Sequence, residues 1–62
     1  MTDELNYLNE KIESVQSDID YLTRELSISE NIEDRRHFSE MLEQCETEKE
    51  YLNNILNAVI TL

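Results

Sequence analysis

An all-α fold, an antiparallel helical hairpin, is what this sequence predicts, and three observations predict it. Leu5, Leu8, Ile12, Val15, Ile19, Leu22 and Leu26 recur at alternating spacings of three and four, the a and d positions of a heptad seam. Carried forward, that register meets only polar residues: Ser29, Glu33, Arg36, Glu40, Glu43, Thr47, Glu50, Asn54, Asn57 and Thr61. A second apolar stripe then runs in a different frame, with Phe38, Cys45, Leu52 and Val59 seven apart and Met41, Leu42, Ile55 and Leu56 beside them. In one unbroken helix the second stripe would point away from the first, so a straight two-stranded rod could not bury both. A chain that reverses near its middle can.

The first helix is expected over about residues 3–28. Thr2 or Asp3 can accept a hydrogen bond from an orphan amide at its start, and Asp3 and Glu4 suit the positive end of the helix dipole. Its g positions are Glu4, Lys11, Asp18 and Glu25, and its e positions Asn9, Gln16 and Thr23, so polar side chains border the seam on both sides. Tyr7, Tyr21 and Ile28 share the c position and sketch a second apolar flank that a further helix could cover. Spacing also predicts an i,i+4 ion pair between Asp20 and Arg24.

The turn is expected at about residues 29–31, where Ser29 and Asn31 compete with helical hydrogen bonding and the seam loses phase. With no glycine in the chain, the short connection is expected to use Asn31 or Ser29 in a less comfortable conformation. One of the two should also cap the second helix, with Glu33 and Asp34 in its first turn.

The second helix is expected over about residues 32–60. Its stripe is thinned at Glu48 and Lys49, where a charge either fixes register or snorkels to the edge, the latter being the more ordinary reading. Beyond that point Leu52, Ile55, Leu56, Val59, Ile60 and Leu62 cover about 160° of the helix circumference. One neighbouring helix cannot cover so wide an arc. The open end of the hairpin, where these residues lie beside Leu5, Tyr7 and Leu8, is therefore the expected contact surface, with Tyr21 on the same flank.

Sixty-two residues make a single domain, 1–62, and two helices sharing one interface have little core to set against ordering entropy. Homodimerisation into a four-helix bundle is the simplest remedy. The net charge of −10, from fifteen carboxylates against five Lys and Arg, opposes phosphate-backbone binding and suits a basic protein partner. No stretch is apolar enough for a membrane span, and the N-terminal residues lack a signal-peptide pattern, which predicts a cytoplasmic location without membrane contact. The single Cys45 lies on the apolar stripe and reads as a small buried hydrophobe in a reducing compartment, the alternative being an intersubunit disulfide or a reactive thiol. Phe, Tyr, Met, Ile, Asn and Lys, whose codons are AT-rich, total twenty, whereas Gly, Ala, Arg and Pro total four, which points to a low-GC bacterium or a phage infecting one; for a phage protein the location would be the host cytoplasm.

The residues offer no chemistry of catalysis: no nucleophile in a recognisable setting, no phosphate-cradling glycine, no expected cofactor. His37 lies one turn after Glu33 and Asp34 but lacks the repeated Glu-x-x-His pattern of a dimetal bundle, so no metal is expected. Arg24, Arg35 and Arg36 gather near the turn among acids that largely cancel them. Glu40, Glu43, Glu46 and Glu50, with Glu48, form the densest acidic run. The bland reading is a solvated face; the sharper one is imitation of a nucleic-acid phosphate track, which would make the protein an inhibitor of a nucleic-acid-binding protein.

Two helices of similar length joined near residue 30 resemble in layout the plasmid-encoded, RNA-binding Rop hairpins, which dimerise into four-helix bundles. The resemblance implies the dimeric bundle and, as a third functional reading, RNA binding. It lies in architecture, so no site residue is carried over. The first helix offers only Lys11 and Arg24 for an RNA face.

The leading expectation is thus a small non-enzymatic protein that self-associates and acts on a protein partner.

Overall fold

A computed structural model describes the backbone of residues 2–61 and the side chains of residues 3–61. Two helices, α1 (Thr2–Ile28) and α2 (Ile32–Thr61), account for the described chain apart from residues 29–31, and no strand occurs among the described residues. They pack against each other in a hairpin measuring 46 × 14 × 11 Å. The long dimension is set by α1 and α2 lying side by side, since a 30-residue helix rises about 45 Å.

The seam closes on the d positions of α1. Leu8, Val15 and Leu22 are buried, with Leu22 only 2% exposed, while the a-position residues Ile12 and Ile19 are half-buried around them. From α2, Leu52 is buried, and Cys45, Ile55, Leu56 and Val59 complete the packing. Cβ directions on an antiparallel pair explain this order. One row of each helix points straight at the neighbour, and the adjacent row covers its edge.

The reversal at residues 29–31 differs from expectation in its mechanism. No described residue adopts a positive φ, so neither Ser29 nor Asn31 takes a left-handed conformation. Several of the carbonyls at the end of α1 find side chains instead. Arg35 Nη1 donates to the Leu26 carbonyl at 2.9 Å and to the Ser29 carbonyl at 3.1 Å. Ser27 Oγ donates to the Arg24 carbonyl at 2.7 Å, and the Ser29 amide donates to the Glu25 carbonyl at 3.0 Å. A guanidinium reaching back from the next helix thus does what a left-handed glycine does elsewhere. It also ties the two helices together at the closed end.

Asn31 caps α2. Its Oδ1 accepts from the amides of Glu33 at 2.8 Å and Asp34 at 3.4 Å, while its carbonyl accepts the first helical bond from the Arg35 amide at 2.9 Å. Such a cap is worth about 1 kcal/mol. Glu33 and Asp34 place negative charge in the first turn, where the helix dipole favours it.

Lys49 neither snorkels freely nor stands alone. Half-buried, it donates from Nζ to Oε1 of Gln16, and Gln16 Nε2 in turn donates to Oδ1 of Asp20 at 2.9 Å. The Asp20 carboxylate, expected to face Arg24, is thereby engaged with Gln16. This chain of polar groups crosses one edge of the hairpin at mid-height and fixes which residue of α1 stands beside which residue of α2.

Candidate interaction surface

The two edges of the interhelical seam are chemically different. One carries the Gln16–Lys49 link. The other is bordered by Tyr7, Tyr21 and Ile28 from α1, all at the c position and all exposed. On that side Tyr7 lines a shallow apolar cleft with Leu8, Ile55 and Val59, walled at the end of the hairpin by Asp3 and Glu4. Further along, Tyr21 shares a second cleft with Asp18, Leu22, Met41 and Cys45. At the closed end Ile28 stands near Phe38, among Glu25, Asp34 and the turn residues.

Helical geometry adds Tyr51 to this side. It precedes Ile55 by four residues, about 40° around α2, and it adjoins Glu48, whose charge reaches Cys45. All three tyrosines, Ile28 and Met41 therefore flank one face, and they make up five of the seven large apolar side chains exposed among the described residues. The remaining two, Ile32 and Ile60, lie elsewhere.

The residues expected to form the contact surface separate into three groups. Leu8 and Leu52 are buried within the hairpin core, and Leu8 reaches the surface only at the floor of the cleft beside Tyr7. Leu5, Ile55, Leu56 and Val59 are half-buried, so they present edges of their side chains. Tyr7, Tyr21 and Ile60 are exposed, Tyr7 at 59% and Tyr21 at 57%, but Ile60 does not border the tyrosine side: it lies about 100° around α2 from Val59, past Leu56. Leu62, also expected in the surface, lies outside the described residues. The sequence reading missed Tyr51, because its place on this face follows only once the second frame of α2 is aligned with α1.

Glu40, Glu43, Glu46 and Glu50 are exposed and project from the side of α2 turned away from α1. Glu40 and Glu43 border a shallow strip along this helix with Gln44, Thr47, Glu48 and Tyr51, so the acidic ridge runs directly beside the tyrosine face.

Charge on the face itself is mixed. Lys11 Nζ sits 6.0 Å from the Tyr7 ring centroid, at the outer limit of a cation–π contact. Cys45 is a free, half-buried thiol. Burial pushes its pKa up, and the neighbouring Asp18 and Glu48 carboxylates push it in the same direction. It is a poor nucleophile at neutral pH for that reason.

His37 is exposed and tilts against Phe38, with ring centroids 5.9 Å apart, and among the described residues no group of three or more His, Cys, Asp or Glu side chains is placed to hold a metal ion. Arg35 is committed to the turn carbonyls. No described helix is long and apolar enough to cross a membrane. No protein-family model, curated protein or solved structure matches the chain.

Proposed function

We propose that this protein is a non-enzymatic interaction module that self-associates into a homodimeric four-helix bundle and presents an acidic exterior to a basic protein partner. The observation that carries this reading is the one-sided face of Tyr7, Tyr21, Ile28, Met41 and Tyr51 on a hairpin whose core is thin. Exposed aromatic residues in a row, rimmed by charge, have the composition of an interface rather than of an ordinary surface.

Area supports the same reading. The chain exposes 5047 Å², whereas a compact monomer of its 7.4 kDa mass would expose about 4,200 Å². The excess of about 800 Å² equals what each partner buries in an interface of standard size. Two helices side by side cannot enclose a core from all directions, and a second pair completes the enclosure.

Sedimentation equilibrium tests the proposal: a dimer at micromolar concentration is expected. A fully helical monomer under those conditions would refute self-association. Both copies carry a charge of −10, so the dimer is expected to tighten as salt rises.

A second reading is favoured by the exposed ridge of Glu40, Glu43, Glu46 and Glu50: occupation of a nucleic-acid-binding groove on another protein, as a phage or mobile-element inhibitor would do. Its affinity for a basic nucleic-acid-binding protein should collapse with added salt and on joint Glu43→Lys, Glu46→Lys and Glu50→Lys substitution. Indifference to both would discard it.

A further inference from the structure

We infer that the second copy lies face to face on the tyrosine side with its turn at the opposite end, and that the two-fold axis runs across both helices at the level of Ser14 and Tyr51. This inference rests on the self-association proposed above and specifies its symmetry.

Register places the axis. Gln16 meets Lys49 across the hairpin, so Ser14, two residues earlier in α1, stands level with Tyr51, two residues later in α2. Ser14 occupies the c position midway between Tyr7 and Tyr21, seven residues from each. The c row is thus a palindrome of ring, hydroxymethyl, ring. Two such rows laid antiparallel through Ser14 put Tyr7 of one copy against Tyr21 of the other, twice, with a small residue where the two backbones approach most closely.

Charge follows the same symmetry. Lys11 and Asp18 lie three residues before and four after Ser14, so each Lys11 stands opposite an Asp18 of the second copy. On α2 an axis level with Tyr51 stacks this ring on its own equivalent. It sets Glu48 opposite Asn54 and Ile55, and Gln44 opposite Ala58, so no acid faces an acid along that helix. At the rim Asp3 and Glu4 approach both Glu25 and Arg24 of the other copy, and Glu10 comes level with Asp18 on the outer flank of the row. Rim charges are screened by solvent and salt, while the attractive Lys11–Asp18 pairs lie nearer the centre.

The alternative two-fold, with both turns at one end, stacks α1 on α2 of the second copy. It separates Tyr7 from Tyr21 by about 21 Å along the axis and leaves Lys11 without its Asp18. In the arrangement inferred here, Cys45 lies six residues from the axis, so the two thiols sit about 18 Å apart along the bundle and cannot form a disulfide.

Cysteine cross-linking in a Cys45→Ala background tests the geometry, with helicity checked for every variant and sedimentation of the unsubstituted chain run alongside. Ser14→Cys and Tyr51→Cys, each at the axis, are expected to oxidise to covalent dimers, Ser14→Cys with all three tyrosines intact. Tyr7→Cys should cross-link to Tyr21→Cys when the two variants are mixed, and at least tenfold more slowly when either is alone. A dimer in which Ser14→Cys and Tyr51→Cys resist oxidation, or in which Ile60→Cys links instead, would overturn this geometry and leave self-association standing. A monomeric unsubstituted chain would overturn both.

Discussion

Replacing Leu22 by alanine is expected to remove about 2–5 kcal/mol of stability, the largest effect of any single substitution in this chain. Among the described residues Leu22 is the most enclosed side chain, at 2% exposure, and it sits in the seam toward the closed end, level with Met41 and Cys45. The neighbouring helices are held at fixed spacing by packing above and below, so the vacated volume cannot collapse fully. A domain of 62 residues has roughly 3–9 kcal/mol in total, so the variant should lose a large share of its stability. Ile32→Ala is the matched control. Ile32 is 77% exposed, and its truncation should change stability by no more than about 0.5 kcal/mol. Urea titrations followed by circular dichroism, at one fixed protein concentration, separate the two, since association makes apparent stability depend on concentration. Equal losses for both variants would mean that the seam does not bury Leu22.

Arg35→Ala is expected to have a large effect for an exposed residue, because Arg35 holds two carbonyls that belong to the other side of the turn. Both bonds lie at the surface, where water replaces part of what is lost, which reduces the expected cost to about 1–2 kcal/mol. For a chain this small each kcal/mol lowers the melting temperature by about 4–8 °C. Arg35→Lys keeps the charge but loses the planar fork, and a flexible ammonium serves the two carbonyls less well, so it should recover less than half of the loss. Amide exchange should quicken in the last turn of α1 and the first of α2 in the alanine variant, while the Leu8–Leu52 region stays protected to the global limit. Unchanged exchange at the turn would show that the guanidinium is not what closes it.

The seam of α1 and the reversal after Ile28 could be read directly from residue spacing, because a three-four apolar period survives in sequence whatever the tertiary partner. A cap at Asn31 or Ser29 was readable as well, since a short polar side chain ahead of acids in the next turn has a local geometric meaning, but the choice of Asn31 between the two was not. Arg35 was not. Its partners lie nine and six residues back, and a side chain that reaches across a turn leaves no periodic mark. The same holds for Gln16 and Lys49, which meet across 33 residues and gain significance only when the antiparallel register is known. Leu8 and Leu52 read as contact residues because sequence shows that a position is apolar, not which of two apolar surfaces will cover it. Tyr51 was hidden for a related reason: its row on α2 becomes continuous with the c row of α1 only after the two frames are aligned side by side.

The reversal of the chain is tested most directly by a distance between the two arms of the hairpin. Spin labels at Asn6→Cys and Asn57→Cys, in a Cys45→Ala background and diluted with unlabelled protein so that only pairs within one chain are read, occupy two exposed positions near the open end. Packed helices with axes about 10 Å apart predict a separation below about 25 Å. A separation near 75 Å, the rise of about 1.5 Å per residue over an unbroken helix between these positions, would contradict the hairpin.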